Sequence, residues 1–269
     1  MSAGLPIVDG STRLYVIIGH PIAQVRSPQT YTPRFRAMGM NALMVPMHVA
    51  PGQFDVTVRG IKEIVNLDGI IITVPYKSRI IPHVDRLLPM GEKVGAINAM
   101  RREKDGSWSG DMFDGRGLTR RLREEGHVIE GKRVMLIGAG GAGSAVAVAV
   151  ADAGASAITI FDVDAAKAKA LADRVAAAYP GRRIAAGAAT AKDHDIVVNA
   201  TPIGMTTGDG MPAELGPLDP ALLVIDVIMK PEPTPFLRHA QRCGCRTVDG
   251  RAMLEGQIEE VLGFFGLGD

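Results

Sequence analysis

Arg133-Val134-Met135-Leu136-Ile137-Gly138-Ala139-Gly140-Gly141-Ala142-Gly143 is the stretch on which the fold of this 269-residue chain turns. An apolar run ends in a glycine-rich turn, which leads into an Ala/Val-rich segment from Ser144 to Ala153. A second apolar run, Ala157-Ile158-Thr159-Ile160-Phe161, ends in Asp162. Strand, glycine turn, helix, strand and acid follow in the order and at the spacing of a dinucleotide site. The glycines let the backbone turn tightly and approach a pyrophosphate, whose charge meets free N–H groups at a helix N-terminus. A bare Gly-x-Gly-x-x-Gly also occurs where helices merely pack closely, but here both strands and the acid accompany it. Asp162 would accept hydrogen bonds from ribose hydroxyls and repel a 2′-phosphate, so the expected cofactor is NAD, with NADP less favoured. The expected contacts begin with Gly138, Ala139, Gly140, Gly141, Ala142, Gly143 and Asp162.

Length and charge narrow the class. A chain of 269 residues suffices for two modest domains with a core each. A net charge of +1 supplies no field to recruit nucleic acid or an anionic membrane, and 4% aromatic residues make a poor stacking platform for single strands. No basic, apolar leader opens the sequence and no run approaches a membrane span, so a soluble, cytoplasmic protein is expected. Cys243 and Cys245 stand too close for an ordinary disulfide and lack the partner pair a zinc site needs, so no metal is expected.

Outside the glycine turn, apolar runs alternate with helix-like segments. Arg13 to Ile18 reads as a strand, Pro28 to Met38 as a helix and Ala42 to Val49 as a strand. A helix through Ile61–Ile64 leads to the strand Gly69–Val74. Ile97 to Arg102 and Ser107 to Gly110 flank Lys104-Asp105-Gly106, a hairpin turn. Asp114 opens a helix that crosses into the second domain. There a helix from Ala165 to Ala178, strands at 195–200 and 222–227, a helix from Pro235 to Arg242 and a short strand ending at Val248 precede an amphipathic segment from Met253 to Phe265. The pattern predicts an α/β protein: an N-terminal α/β substrate domain with a mostly parallel sheet, and a Rossmann-type domain. In such sheets the ligand lies at the C-terminal strand ends, which places Thr201-Pro202-Ile203-Gly204-Met205 near the nicotinamide half of the cofactor.

Hydride transfer between a carbon and a nicotinamide needs a group to take or return the hydroxyl proton. Lys77, at the end of Thr73-Val74-Pro75-Tyr76, and Asp114 fit that need. Taken singly, each has a simpler reading: a surface lysine after a strand, and a helix N-cap aspartate.

The surroundings of these two residues resemble the shikimate dehydrogenases. Gly19-His20-Pro21-Ile22-Ala23-Gln24-Val25-Arg26-Ser27-Pro28 resembles their Gly-x-Pro-Ile-x-His-Ser-x-Ser-Pro, and Thr73-Val74-Pro75-Tyr76-Lys77 their Thr-Val-Pro-Phe-Lys. Gly95-Ala96-Ile97-Asn98 and Gly110-Asp111-Met112-Phe113-Asp114-Gly115 are similar to Gly-Ala-Val-Asn and Gly-Asp-Asn-Thr-Asp-Gly. Asn199 to Met205 and Asp249 to Gln257 match further motifs, in order, so the resemblance covers nearly the whole chain. It implies a substrate-binding domain over residues 1–113, rejoined by 249–269, around a cofactor domain over 114–248. It implies Lys77 and Asp114 as the catalytic pair, with Lys77 as base and Asp114 orienting it, and Ser27, Thr73, Asn98 and Gln257 in the substrate pocket. Thr201, Val227, Gly250 and Met253 complete the expected cofactor contacts. An aspartate beside a lysine favours the ammonium form, so a lysine base must also be desolvated, and the two titrate as one unit.

Several pocket positions depart from the family, all in one direction. Val25 stands for a serine, Gln24 for a histidine, Ile71 for an asparagine, Phe113 for a threonine and Met229 for a tyrosine. Apolar groups replace partners of a small polyhydroxylated acid while the catalytic pair is kept, and unmade hydrogen bonds in such a pocket discriminate strongly. The expected substrate is therefore a cyclic hydroxy acid, shikimate or quinate or a less polar analogue, oxidised by a monomer or homodimer. Arg26 and His20 are candidate replacement partners for a carboxylate, with solvent-facing loop positions the simpler reading. Two alternatives stand beside this one: a housekeeping NADP enzyme, opposed by Asp162-Val163-Asp164 where NADP enzymes commonly carry Asn-Arg-Thr, and a catalytically silent NAD-binding sensor. Lys167 and Arg174, downstream on a helix, are the remaining candidates for a phosphate contact.

Overall fold

The computed structural model describes residues 8–206 and 208–268, which divide into two compact units. One holds the described residues up to Asp111 and those from Leu262 onward; the other is Met112–Val261.

The first unit contains β1 (Arg13–Gly19), α1 (Ser27–Ala37), β2 (Ala42–His48), α2 (Phe54–Lys62), β3 (Leu67–Ile72), β4 (Arg86–Leu87), α3 (Pro89–Val94), β5 (Ala99–Arg102) and β6 (Trp108–Asp111). Its sheet runs β2-β1-β3-β5-β6-β4. β1 pairs in parallel with β2 and β3, while β5 is antiparallel to β3 and, across the turn at Lys104-Asp105-Gly106, to β6. The central strands are buried runs, and Ile18, Ile70 and Ile72 pack with Phe54, Val58 and Trp108 in one core. The short β4 and α3 carry no periodicity that a sequence reading could use, and α2 stops at Lys62, earlier than the sequence suggests.

The second unit continues with α4 (Asp114–Glu124), β7 (Arg133–Ile137), α5 (Gly141–Asp152), β8 (Ala157–Phe161), α6 (Ala165–Ala178), β9 (Arg183–Ala186), β10 (Ile196–Asn199), β11 (Leu223–Asp226), α7 (Pro235–Arg242), β12 (Arg246–Val248) and α8 (Arg251–Phe264). Its sheet, β12-β11-β10-β7-β8-β9, is parallel throughout, the doubly wound order in which the chain reverses direction between β7 and β10. α5 is buried from Gly143 to Ala151, which explains a helix that is apolar on every side: it packs against both α4 and α6 as well as β7. The edge strand β9 is largely exposed and alanine-rich, so it leaves no alternating pattern to read.

α8 begins in the second unit and reaches the first only from Leu262. The segment from 249 to 261 therefore falls in the unit that holds the parallel sheet, where the sequence reading grouped it with the substrate domain. Its close approach to α4, described below, is the reason. No described helix is long and apolar enough to cross a membrane.

Candidate active site

The glycine turn lies at the switch point of the parallel sheet. Gly138 ends β7 with φ +105° and its N–H donates to the Phe161 carbonyl at 2.7 Å. A Cβ there would come within 2.9 Å of the Ala200 carbonyl, and one at Gly143 would run into the carbonyl of Gly138. Both positions therefore require glycine for the turn to close against β10. Gly140 precedes α5 in extended conformation, and no N-cap side chain accepts from the N-terminal amides of that helix. Thr201, at the end of β10, meets the same turn, since its methyl stands 2.9 Å from where a Gly138 Cβ would be. The structure thus brings Gly138–Gly143 and Thr201 to one crevice.

Asp162 has a role in this turn that the sequence reading lacked. Its Oδ2 accepts from the Ala139 N–H at 2.7 Å and its Oδ1 from the Asp164 N–H at 2.9 Å, so the carboxylate holds the glycine loop to the end of β8. Two bonds leave lone pairs for ribose hydroxyls. Val163 is 94% exposed, and Asp164 caps α6 by accepting from Ala166 and Lys167. The two downstream cations both have protein partners. Lys167 pairs with Asp164 at 3.5 Å, and Arg174 donates to the Ser144 hydroxyl at 3.1 Å, tying α6 to α5 where burial pushes its pKa down.

A buried polar network joins the loops after β10 and β11. Asn199 accepts from the Thr201 N–H and hydroxyl at 3.0 and 2.8 Å and donates to the Ile203 carbonyl at 3.3 Å and to Asp226 Oδ1 at 3.0 Å. Asp226 also accepts from the Ile228 N–H at 3.1 Å and from the Thr234 hydroxyl at 2.7 Å. Val227, whose N–H donates to the Asn199 carbonyl, and Met229 lie on the second loop, both half-buried. Gly250 packs directly on the Val227 carbonyl, where a Cβ would overlap, and opens the turn into α8. Sequence reasoning passed over Asn199 and Thr234. The available signals were a polar residue closing the apolar strand β10, for Asn199, and a threonine directly before the proline that opens α7, for Thr234.

α8 carries Met253 and Gln257, both buried, against α4. A Cβ at Gly256 would collide with the Gly117 carbonyl, so these two helices touch backbone to backbone. That approach lets Gln257 Nε2 donate to Asp114 Oδ1 at 3.1 Å. Asp114 occupies the first turn of α4, not its N-cap, which is Phe113. The capping explanation for Asp114 fails, and a buried carboxylate at a helix N-terminus, held by an amide, remains. Phe113 is buried beneath the Arg116 guanidinium, 5.4 Å from its ring centroid.

In the first unit, Lys77, Thr73 and Asn98 gather at the ends of β1 and β3. The Thr73 N–H donates to the Ile18 carbonyl at 2.9 Å, that of Ile72 to the Asn98 carbonyl at 2.8 Å, and that of Ile97 to the Lys77 carbonyl at 2.7 Å. Lys77 is half-buried; Asn98 and Ser27 are buried, with Ser27 opening α1. Val25 is half-buried in the loop before α1, and Ile71 is buried within β3. The His20 N–H donates to the Val74 carbonyl at 2.9 Å, and its ring meets His48 at 2.9 Å, so His20 is tied into the sheet end instead of free in solvent. Arg26 directly precedes α1 and is half-buried. Among the described residues no group of three or more His, Cys, Asp or Glu side chains could hold a metal.

Known proteins match both units. Residues 17–100 match the shikimate dehydrogenase substrate binding domain, and 121–206 match the shikimate / quinate 5-dehydrogenase family. The chain is 36% identical over 257 residues to the NADP(+) shikimate dehydrogenase of Rubrobacter xylanophilus, covering 93% of this chain and 89% of that protein. A shikimate 5-dehydrogenase from Listeria monocytogenes in complex with shikimate and NAD superposes with TM-score 0.82 and 29% identity, covering 96% and 93% of the two chains. The 5-ketofructose reductase of Gluconobacter sp. strain CHM43 superposes with TM-score 0.80 and 30% identity, covering 94% and 92%. With its motifs in place, its parallel six-stranded dinucleotide sheet and these relatives along nearly its full length, the chain belongs to the shikimate dehydrogenase family of NAD(P)-dependent oxidoreductases acting on a CH–OH group.

Proposed function

We propose that this protein is an NAD-dependent dehydrogenase of a cyclic hydroxy acid less polar than shikimate. The observation that carries the cofactor half is the end of β8: two carboxylates, Asp162 and Asp164, flank an exposed Val163, while Lys167 is paired with Asp164 and Arg174 with Ser144. Curated relatives carry the name NADP(+), so the cofactor is where this reading differs from them. When bound, the dinucleotide takes or returns the hydride. The protein's own residues supply the rest. Lys77 takes the hydroxyl proton as the carbonyl forms and returns it in the reverse direction, and Asp114, fixed by Gln257, orients it. Their pairing rests on the resemblance of Thr73–Lys77 and Gly110–Gly115 to the family signatures.

The substrate half rests on composition at the pocket positions. Ser27, Thr73, Asn98 and Gln257 keep polar groups, while Val25, Ile71, Phe113 and Met229 offer none to a hydroxyl. A likeness at 30% identity to a 5-ketofructose reductase supports a family member whose substrate is not shikimate. Lys77→Ala tests the enzyme reading against a silent binding protein. Turnover lost with NADH affinity kept supports catalysis; turnover retained at the wild-type rate refutes the role of Lys77.

A further inference from the structure

Asp226 is fully buried, and every group that touches its carboxylate is neutral. Three donors converge on it: Asn199 Nδ2 from β10, the Ile228 N–H from the following loop, and the Thr234 hydroxyl from the start of α7. Through Asn199 the contact extends to Thr201 and Ile203. Through Ile228, whose carbonyl accepts from the Gly250 N–H at 3.2 Å, it reaches the first turn of α8. The mechanism above makes no use of this group, although a carboxylate without a cation is costly to bury. The charged groups on the elements packed around it point elsewhere. Asp249, which follows β12, and Glu232 in the loop both pair with Arg251; Lys230 in the loop and Arg238 and Arg242 of α7 are exposed; His239 of α7 faces Cys243 Sγ at 3.8 Å; and the buried residues of α7, Phe236, Leu237 and Ala240, are apolar.

We infer that Asp226 is a positioning residue for dinucleotide binding: its ionised carboxylate clasps the Thr201–Met205 loop to the Val227–Thr234 loop, and its protonation loosens both. This inference rests on the dinucleotide reading proposed above. All three donors need an acceptor, so the ionised form satisfies them all. A proton on the carboxyl must be donated, and it displaces the Thr234 hydroxyl hydrogen, which Oδ2 now accepts. Burial pushes the pKa up to about 6 against the three hydrogen bonds, which puts the change within reach of ordinary assay conditions.

NADH binding to the full-length protein, followed by nucleotide fluorescence across pH, tests the clasp. Wild type should lose roughly tenfold in affinity between about pH 7.5 and pH 5, the worth of a charged hydrogen bond. Asp226→Asn should bind at pH 7.5 as weakly as wild type does at pH 5, and stay level between. Thr234→Val, which removes one donor and keeps the charge, should move the midpoint of the profile to higher pH, and Thr234→Ser should restore it. A general loss of structure would not shift a midpoint. An Asp226→Asn variant with wild-type affinity and the same acid fall, or a midpoint unmoved in Thr234→Val, overturns the inference alone. Wild type that binds neither NADH nor NADPH overturns the proposed function, and the inference with it.

Discussion

Gln257 Nε2 donates to Asp114 Oδ1 at 3.1 Å, joining two buried side chains 143 residues apart in sequence. The bond aims the Asp114 carboxylate. It exists because α8 and α4 meet at Gly256 and Gly117 without intervening side chains.

Removing the amide should leave Asp114 less well oriented. Gln257→Ala is expected to lower kcat/KM by roughly 10–100-fold, the cost of leaving a buried charged acceptor short of a donor. NADH affinity should stay within about twofold by the same argument, because the bond engages neither the glycine turn nor Asp162 directly. Steady-state kinetics beside a binding titration separates the two effects.

Gly256→Ala tests the same contact through the backbone. Its Cβ would overlap the Gly117 carbonyl, so α8 must move off α4. A loss of about 1–3 kcal/mol in stability is expected, together with a drop in turnover. Urea denaturation measures the first. An unchanged midpoint would show that the helices can separate at no cost.

Much of this architecture is legible in the sequence, and the illegible parts have physical reasons. The run from Arg133 to Gly143 announces the dinucleotide sheet because apolar strands and obligate glycines leave few alternatives. Lys77 and Asp114 stand out by resemblance, and the structure removes the N-cap explanation for Asp114 by giving that position to Phe113. By contrast, β9 is exposed and small, so it carries no period, and the assignment of 249–261 to the second unit depends on a helix–helix crossing that no local pattern encodes. The bond from Asp162 to Ala139 is equally hidden, since a tertiary hydrogen bond across 23 residues leaves no spacing rule.

Cofactor choice should respond to one position. Val163→Arg places a cation beside the end of β8, where a 2′-phosphate would need one, and is expected to raise NADPH affinity roughly tenfold while changing NADH affinity little. Asp162→Asn should weaken NADH, because a single amide oxygen cannot replace two carboxylate oxygens that accept from Ala139 and Asp164, and should weaken NADPH less, because the charge that repels a 2′-phosphate is removed. Titration with each nucleotide checks both statements.

Asp226 should also mark the pH dependence of stability. Its folded pKa, about 6, lies above the ordinary aspartate value of 3.8, so between these values the folded protein holds more protons than the unfolded chain. The ionised carboxylate orders the two loops locally but lowers the stability of the whole fold, because its desolvation outweighs its three hydrogen bonds, with a cost that grows as pH rises from about 4 to 6 and is complete above, on the order of 3 kcal/mol. The stability difference between wild type and Asp226→Asn, measured by urea denaturation, should shift in favour of the variant over that window. A difference that is flat from pH 4 to 7 would place the titration of Asp226 elsewhere.

Cofactor and substrate are tested together by the initial rate of the purified protein with shikimate and with quinate, each with NAD and with NADP, followed by nicotinamide absorbance. Any oxidation should be faster with NAD than with NADP by at least roughly tenfold, and shikimate should be a poor substrate, its hydroxyls unmatched by Val25, Ile71, Phe113 and Met229. Efficient shikimate oxidation at a micromolar KM with NADP would contradict both halves of the claim.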